Sequence, residues 1–451
     1  MSFKKDFVWG VATAAAQIEG AAIEDGRGLS IWDVFAEQPG NVYEGHTPAI
    51  ACDHYHRLDE DVTLLVGLGI GAYRFSVAWT RIFPNGKGEV SPKGLEFYHR
   101  LIDLLLKNNI TPYMTLFHWD YPYALETQGG WMNKDSPKWF ADYASVIAKE
   151  FGDKVKHYIT FNEPQCFIGH GYNTGKHAPG HRRTKRDLVL MAHNVMLAHG
   201  VAVQAIREAV PDAKIGFAPM ARVYIPDTNS PDDINAARQM YFDAGVDNFT
   251  NTVTWWSDPV MLGRYPKEAT GFSELSKHLP DCWLEDLKTI HQPLDFYGQN
   301  IYQGYRCRAG KNGPERVLHK VGMPKNALDW PIVPEAMYWS VNNLYQRYKT
   351  PIIITENGMS CHDTVSLDGK VHDPNRIDFT HRYLLALQKA SQDGADVRGY
   401  FHWSFMDNYE WAEGYKERFG LVYVDFETFK RTPKESYTWY RDMILANGEN
   451  L

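Results

Sequence analysis

Eight short stretches rich in β-branched and aromatic residues recur along the chain: FVWGVATAA from Phe7, AYRFSVAW from Ala72, ITPYMTLFHW from Ile110, HYITFNEP from His157, KIGFAPM from Lys214, LDFYGQNIY from Leu294, PIIITENG from Pro351 and VRGYFHWSF from Val397. Several are apolar without alternation, as parallel strands covered on both faces are. Between them the period becomes helical. In SPKGLEFYHRLIDLLLKNN, Ser91 can cap, Pro92 suits a first turn, and Leu95, Tyr98, Ile102 and Leu105 share one face. The stretch SPKWFADYASVIAKEFG repeats the device, with Phe140, Tyr143 and Ile147 on one face and Gly152 just past the end.

Strand and helix alternating eight times, with no linker, low-complexity tract or composition break, predict one α/β domain over residues 1–451: a (β/α)8 TIM barrel with elaborated βα loops. The longer gaps, residues 17 to 70 and 303 to 350, are expected as loop elaborations. An open doubly wound sheet competes, but no GxGxxG follows the first strand. A barrel places its chemistry where strands end and βα loops begin. Those positions read Gln17, Arg74, His118 with Trp119, Asn162 with Glu163, Asn300 with Tyr302, Glu356, and Trp403. Polar groups and aromatics stand where a strand core would carry Val or Ile.

Two of these residues are glutamates, in TFNEP on strand four and ITENG on strand seven. A lone glutamate at a strand end is ordinarily solvated or ion-paired. A pair of them, each after an apolar strand and before a Pro or Gly breaker, points instead to the two carboxyls, about 5 Å apart, of a retaining glycosidase.

The 451 residues carry 47 basic and 55 acidic side chains, a net charge of −8, which speaks against nucleic acid as a partner. Aromatic residues make up 14 %, more than packing usually needs, and aromatic faces also bind sugar rings. No export signal is read at the start, and no window has the ~20 apolar residues of a membrane span. Five cysteines without a CxxC pair suit a reducing compartment, so the cytoplasm is the expected location. His54 and His56 in DHYHR lack a third ligand at metal spacing and are read as hydrogen-bonding groups at a helix start; no metal or organic cofactor is expected. The basic run HRRTKR (residues 181 to 186) is read as a solvated loop.

Taken in order, FVWGVATAAAQIEG with GLSIWDVF, YRFSVAWTRIFP, LFHWDYP, TFNEP, GKHAPG, NIY, ITENG and FHWSFMDNYEWAEGYKERFGLVYVDF match a set of family motifs. Over essentially its full length the chain resembles glycoside hydrolase family 1, the β-glucosidase family. The resemblance implies that Glu356 is the nucleophile and Glu163 the general acid, then base, of a double displacement. It sets Arg74 beside Glu356 to keep it ionised, with Tyr302 donating to the same carboxylate. It puts Gln17, His118, Trp119, Asn162, Glu410 and Trp411 around the innermost sugar, beside strand-end Asn300, with Trp403 as stacking floor. Cys166, His177 and Trp330 fall in loops resembling the aglycone entrance, where Trp330 can stack on the leaving group or simply pack a loop.

Where the 6-phospho branch of the family has a serine, a lysine and a tyrosine, this chain has Glu410, Glu417 and Phe419. An anionic Glu410 is expected to repel a 6-phosphate and accept hydrogen bonds from free hydroxyls. Intact Glu163, where the thioglucosidases carry glutamine, favours O-glycosides. The expectation is therefore a retaining β-glucosidase acting on cellobiose, oligosaccharides or aryl β-glucosides. β-Galactosidase or β-fucosidase activity is the alternative on the same scaffold. A catalytically silent sugar-binding barrel is the alternative from another class, disfavoured because a binder has no use for two like charges at close range. The expected partner is a small β-glycoside, with no nucleic acid or membrane, and the oligomeric state is left open.

Overall fold

A computed structural model describes residues 3–220 and 222–451. All eight expected strands form: β1 Val8–Ala12, β2 Ala72–Ser76, β3 Thr111–Phe117, β4 His157–Asn162, β5 Lys214–Ala218, β6 Phe296–Asn300, β7 Ile352–Asn357 and β8 Val397–Trp403. Each pairs in parallel with its neighbour in chain order, and β8 closes onto β1, where Ala12 stands opposite both Trp403 and Arg74. The result is the (β/α)8 barrel, with helices between successive strands.

Local chemistry explains the helices. In Pro92–Lys107 the Ser91 hydroxyl accepts from the Gly94 N–H at 3.2 Å, and Tyr98, Ile102 and Leu105 are fully buried. Phe97 and Leu101 widen that buried face beyond the expected stripe. Gly152 does follow Ser136–Phe151, but in a right-handed conformation with φ −68°. Its smallness serves close approach rather than a left-handed turn, since a Cβ there would lie 2.2 Å from a Val210 methyl.

The two long gaps are more ordered than loops. Residues 17 to 70 hold the helices Ile31–Ala36 and Leu58–Leu68. Between residues 303 and 350, strands Gly304–Gly310 and Gly313–Arg316 join Val223–Pro226 in a three-stranded sheet packed on helix Pro231–Phe242, and Glu335–Tyr348 is the helix preceding β7. This hairpin carries little apolar alternation of its own and depends on a strand some 80 positions away, so local pattern could not reveal it. The basic run is likewise only half loop. Thr184 caps helix Lys185–Ala209 through a reciprocal bond with Asp187, which places Lys185 and Arg186 in the first turn. That helix is long and apolar enough to cross a membrane, but 67 % of its apolar window is buried, as in a core helix packed against Ser136–Phe151. His54 hydrogen-bonds Asp61 at 2.7 Å, and Asp61 also receives Arg431, so the histidine braces helix Leu58–Leu68.

One buried ionic network ties the segment after β7 to the segment after β8 and to the C-terminal region. Arg376 pairs with Asp363 (2.7 Å) and Asp373, Lys434 bridges Asp363 and Asp407 (2.6 Å each), and Arg418 holds Asp407 at 2.7 Å. Asp407 and Arg418 bracket the stretch that carries Glu410 and Trp411.

Candidate active site

Both glutamate-bearing strands are irregular just before their glutamate. On β7, Ile354 faces Gln299 of β6 while Glu356 faces Asn300, and on β4, Ile159 faces Gly216 of β5 while Asn162 faces Ala218. One extra residue in each strand breaks the in-out alternation and re-aims the side chains that follow. Glu163 then leaves the strand with φ 46°, and Pro164 opens helix Pro164–Ile168 at the position where a missing N–H is harmless. Pro164 is thus a helix start as well as a strand end. Trp119 (φ 75°) and Trp411 (φ 54°) also adopt the left-handed region, uncommon for non-glycine residues and concentrated at functional sites.

Arg74 lies in the middle of β2 rather than at its end, and its length carries the guanidinium into the glutamate cluster. Nη1 donates to Glu356 Oε1 and to the Thr355 carbonyl, both at 2.8 Å, Nη2 to Asn162 Oδ1 at 2.6 Å, and Nε to the Thr115 hydroxyl at 3.2 Å. The Tyr302 hydroxyl donates to Glu356 Oε2 at 2.7 Å. Asn300 Nδ2 donates to Glu163 Oε1 at 2.8 Å and to Asn162 Oδ1 at 3.0 Å, and its own oxygen accepts from Thr355 at 2.6 Å. One continuous hydrogen-bonded web therefore holds both carboxyls.

Their electrostatics differ. Burial raises the Glu356 carboxyl above the ordinary glutamate value, and Arg74, Tyr302 and Asn300 pull it back part of the way. Glu163 has no guanidinium in contact; burial first, and the Glu356 charge second, push it up to about 8. Glu163 is the site's proton holder and Glu356 its anion. Burial, then Arg74, hold His118 well below the usual imidazole range; Asn162 Nδ2 donates to its Nε2 at 3.0 Å, so the neutral ring carries its proton on Nδ1.

The carboxyls open into a cavity of about 450 Å³. Of the expected site residues, His118, Trp119, Glu163, Asn300, Tyr302, Trp330, Glu356, Trp403, Glu410, Trp411 and Phe419 line it, as do Cys166 and His177. Gln17, Arg74 and Asn162 are not in the wall; each reaches it through a lining partner. Gln17 Nε2 donates to Asn408, to the Tyr409 carbonyl and to Glu410, leaving its buried oxygen without a partner among the described residues. Trp403 and Trp411 flank His118, with ring centroids 5.7 and 6.0 Å away and planes tilted by 23° and 20°. Trp330 both lines the cavity and packs against Tyr302 and Phe419.

Three expectations change. Trp119, expected around the innermost sugar, has its indole N–H donating to the Asn162 carbonyl at 3.1 Å. The Asn162 side chain is spent on Arg74, Asn300 and His118 and acts as a brace. Glu410 is not a free anion: burial first, then the neighbouring carboxyls of Glu356, Glu417 and Glu163, push its own well above the usual range. Glu417 is buried and does not line the cavity. Residues missed from sequence are those of the outer wall, including His170, Lys176, Met220, Arg222, Asn251 and Gln303. Only Lys176 carried a signal, its place in GKHAPG; the others lie in loops whose convergence is a product of closure.

A profile of glycosyl hydrolase family 1 matches residues 1–449. A 1,4-β-D-glucan glucohydrolase of Thermotoga neapolitana is 44 % identical over 453 residues, covering 99 % of each chain. β-Glucosidase A of Thermotoga maritima is 43 % identical, covering 99 % of this chain and 98 % of that one. The solved structure of the β-glucosidase from Thermotoga maritima in complex with glucoimidazole superposes with a TM-score of 0.91, at 42 % identity and 99 % coverage of both chains. With the barrel, the two glutamates and full-length similarity in agreement, this chain belongs to glycosyl hydrolase family 1.

Proposed function

We propose that the chain is a retaining β-glucosidase releasing terminal non-reducing β-D-glucosyl residues by double displacement. One observation carries the reading: two buried glutamates share a cavity, one bound to Arg74 and Tyr302, the other holding a proton to about pH 8. In the first step Glu356 attacks the anomeric carbon while Glu163 gives its proton to the departing oxygen; the glycosidic bond breaks and a glycosyl ester forms on Glu356. That ester removes the Glu356 charge, which after burial was the second cause raising Glu163, so Glu163, having given up its proton, takes one from water, whose oxygen attacks the same carbon and frees Glu356. Arg74 and Tyr302 stabilise Glu356 as the departing carboxylate of this second step.

Glucose is supported by the relatives' names and by the unpaired polar atoms near the inner end, Gln17 Oε1 and His118 Nδ1. Cellobiose, oligosaccharides and aryl β-glucosides are supported by a cavity that Trp330 lines together with the two carboxyls. Five free cysteines support a reducing, cytoplasmic setting. The test is a panel of β-gluco-, galacto-, fuco- and 6-phosphoglucosides together with a 2-deoxy-2-fluoro glucoside bearing a good leaving group. The expected result is preference for gluco and a covalent label on Glu356. A label elsewhere overturns the mechanism, and a galacto or fuco preference overturns the substrate.

A further inference from the structure

Lys176 and Arg222 are both exposed, both line the outer part of the active-site cavity, and neither has an ion-pair or hydrogen-bond partner among the described residues. They come from the loops after adjacent strands, β4 and β5, so barrel closure rather than sequence proximity brings them together. Both bear on His170, another wall residue: after burial, their charges are what hold its imidazole below its ordinary range. Unpaired surface cations are common, but two converging on the mouth of a cavity whose inner end is acidic are not balanced by that acid. Glu356 is already paired with Arg74, Glu163 carries a proton, and Glu413, also in the wall, is paired with Lys416 at 2.7 Å. The aglycone end is therefore locally cationic in a chain of net charge −8. The same cavity is also lined by Asn251 and Gln303, amides suited to a polar leaving group, and by Trp330, a ring suited to a flat one.

We propose that Lys176 and Arg222 form an anion-selective aglycone subsite, so that the preferred substrates are β-glucosides whose leaving group carries a carboxylate, such as a phenolic acid or a sugar acid. The inference rests on the glucosidase reading and adds the substrate class. A charge at the rim acts on encounter and on ground-state binding, through water, so its effect is moderate and sensitive to salt.

The experiment compares two aryl β-glucosides, one with a 3-carboxylate on the ring and one with the neutral 3-carboxamide, on wild type, Lys176→Gln, Arg222→Gln and the double variant. A third substrate, a β-glucosyl glucuronic acid disaccharide, separates the sugar-acid source from the aromatic one. Using the ratio of kcat/KM for carboxylate to carboxamide, and comparing it between proteins, cancels the intrinsic difference between leaving groups. The wild-type ratio is expected to fall roughly tenfold in the double variant, mainly through KM, and to fall similarly in wild type at 0.5 M salt, about what two screened charge contacts supply. A ratio indifferent to both substitutions and to salt overturns the proposal while leaving the glucosidase reading intact. Failure of wild type to hydrolyse even the carboxamide overturns the glucosidase reading itself.

Discussion

Two buried ionic clusters, one beside the other, are built on opposite plans. The network behind β7 and β8 sets Arg376, Lys434 and Arg418 against Asp363, Asp373 and Asp407, charge for charge, and its carboxylates also accept backbone N–H groups from Ser436 and Gly420. The catalytic cluster sets the single Arg74 against Glu163, Glu356 and Glu410. The balanced network can keep every member ionised, and its residues behave as structure. The unbalanced one cannot, so at least one carboxyl retains a proton near neutrality. Reactivity sits where compensation is withheld, and the compensated cluster next to it clamps the Glu410 and Trp411 segment in place.

The strongest way to break this contrast is to remove the anion. Glu356→Ala should lower kcat by about 10⁴-fold or more, measured with an aryl β-glucoside, while circular dichroism remains that of the wild type. Removing the proton holder costs less and depends on the leaving group. Glu163→Ala should lose about 10²- to 10⁴-fold on poor leaving groups and far less on activated ones, with azide restoring turnover of the latter as a glucosyl azide product.

Glu163 also predicts a pH dependence of stability. Its folded value of about 8 lies above the ordinary glutamate value, so between about pH 5 and 8 the folded state holds a proton that the unfolded chain has released. Stability should therefore fall as pH rises through that window. Glu163→Gln removes the titration, and its Tm should gain on wild type steadily from pH 5 to 8; a constant difference would place the proton elsewhere.

In the balanced network the sign reverses: Asp407→Asn leaves Lys434 and Arg418 undercompensated and should destabilise by about 3–5 kcal/mol in denaturant unfolding, because a broken buried pair strands a charge. The smallest effect is expected at the outer wall. Trp330→Ala should raise KM for aryl β-glucosides by a few fold with little change in kcat, separating leaving-group stacking from chemistry.

Much of the contrast was legible before folding. The β-branched runs marked all eight strands, since a strand buried on both faces must be continuously apolar. TFNEP and ITENG marked the two carboxyls. Family resemblance then assigned Arg74 and Tyr302 to Glu356, and the 2.8 and 2.7 Å contacts agree. What stayed hidden was long-range. The register breaks in β4 and β7 are properties of pairing, not of a single strand. Trp119 and Asn162 looked like free sugar-binding groups because nothing local reveals that their donors are taken by partners more than 40 residues away. The anionic Glu410 inferred from sequence was undone by burial beside three other carboxyl groups.

By itself, then, the amino-acid order determined the strand-helix alternation and which functional groups stand at the barrel's rim, because periodicity and side-chain chemistry are local. Only the tertiary structure decided that Glu410 is buried among other carboxyls, which donors are already spent, and that two cations from different loops meet at the mouth. Those outcomes depend on burial and on fields summed over groups that closure of the barrel alone brings within reach.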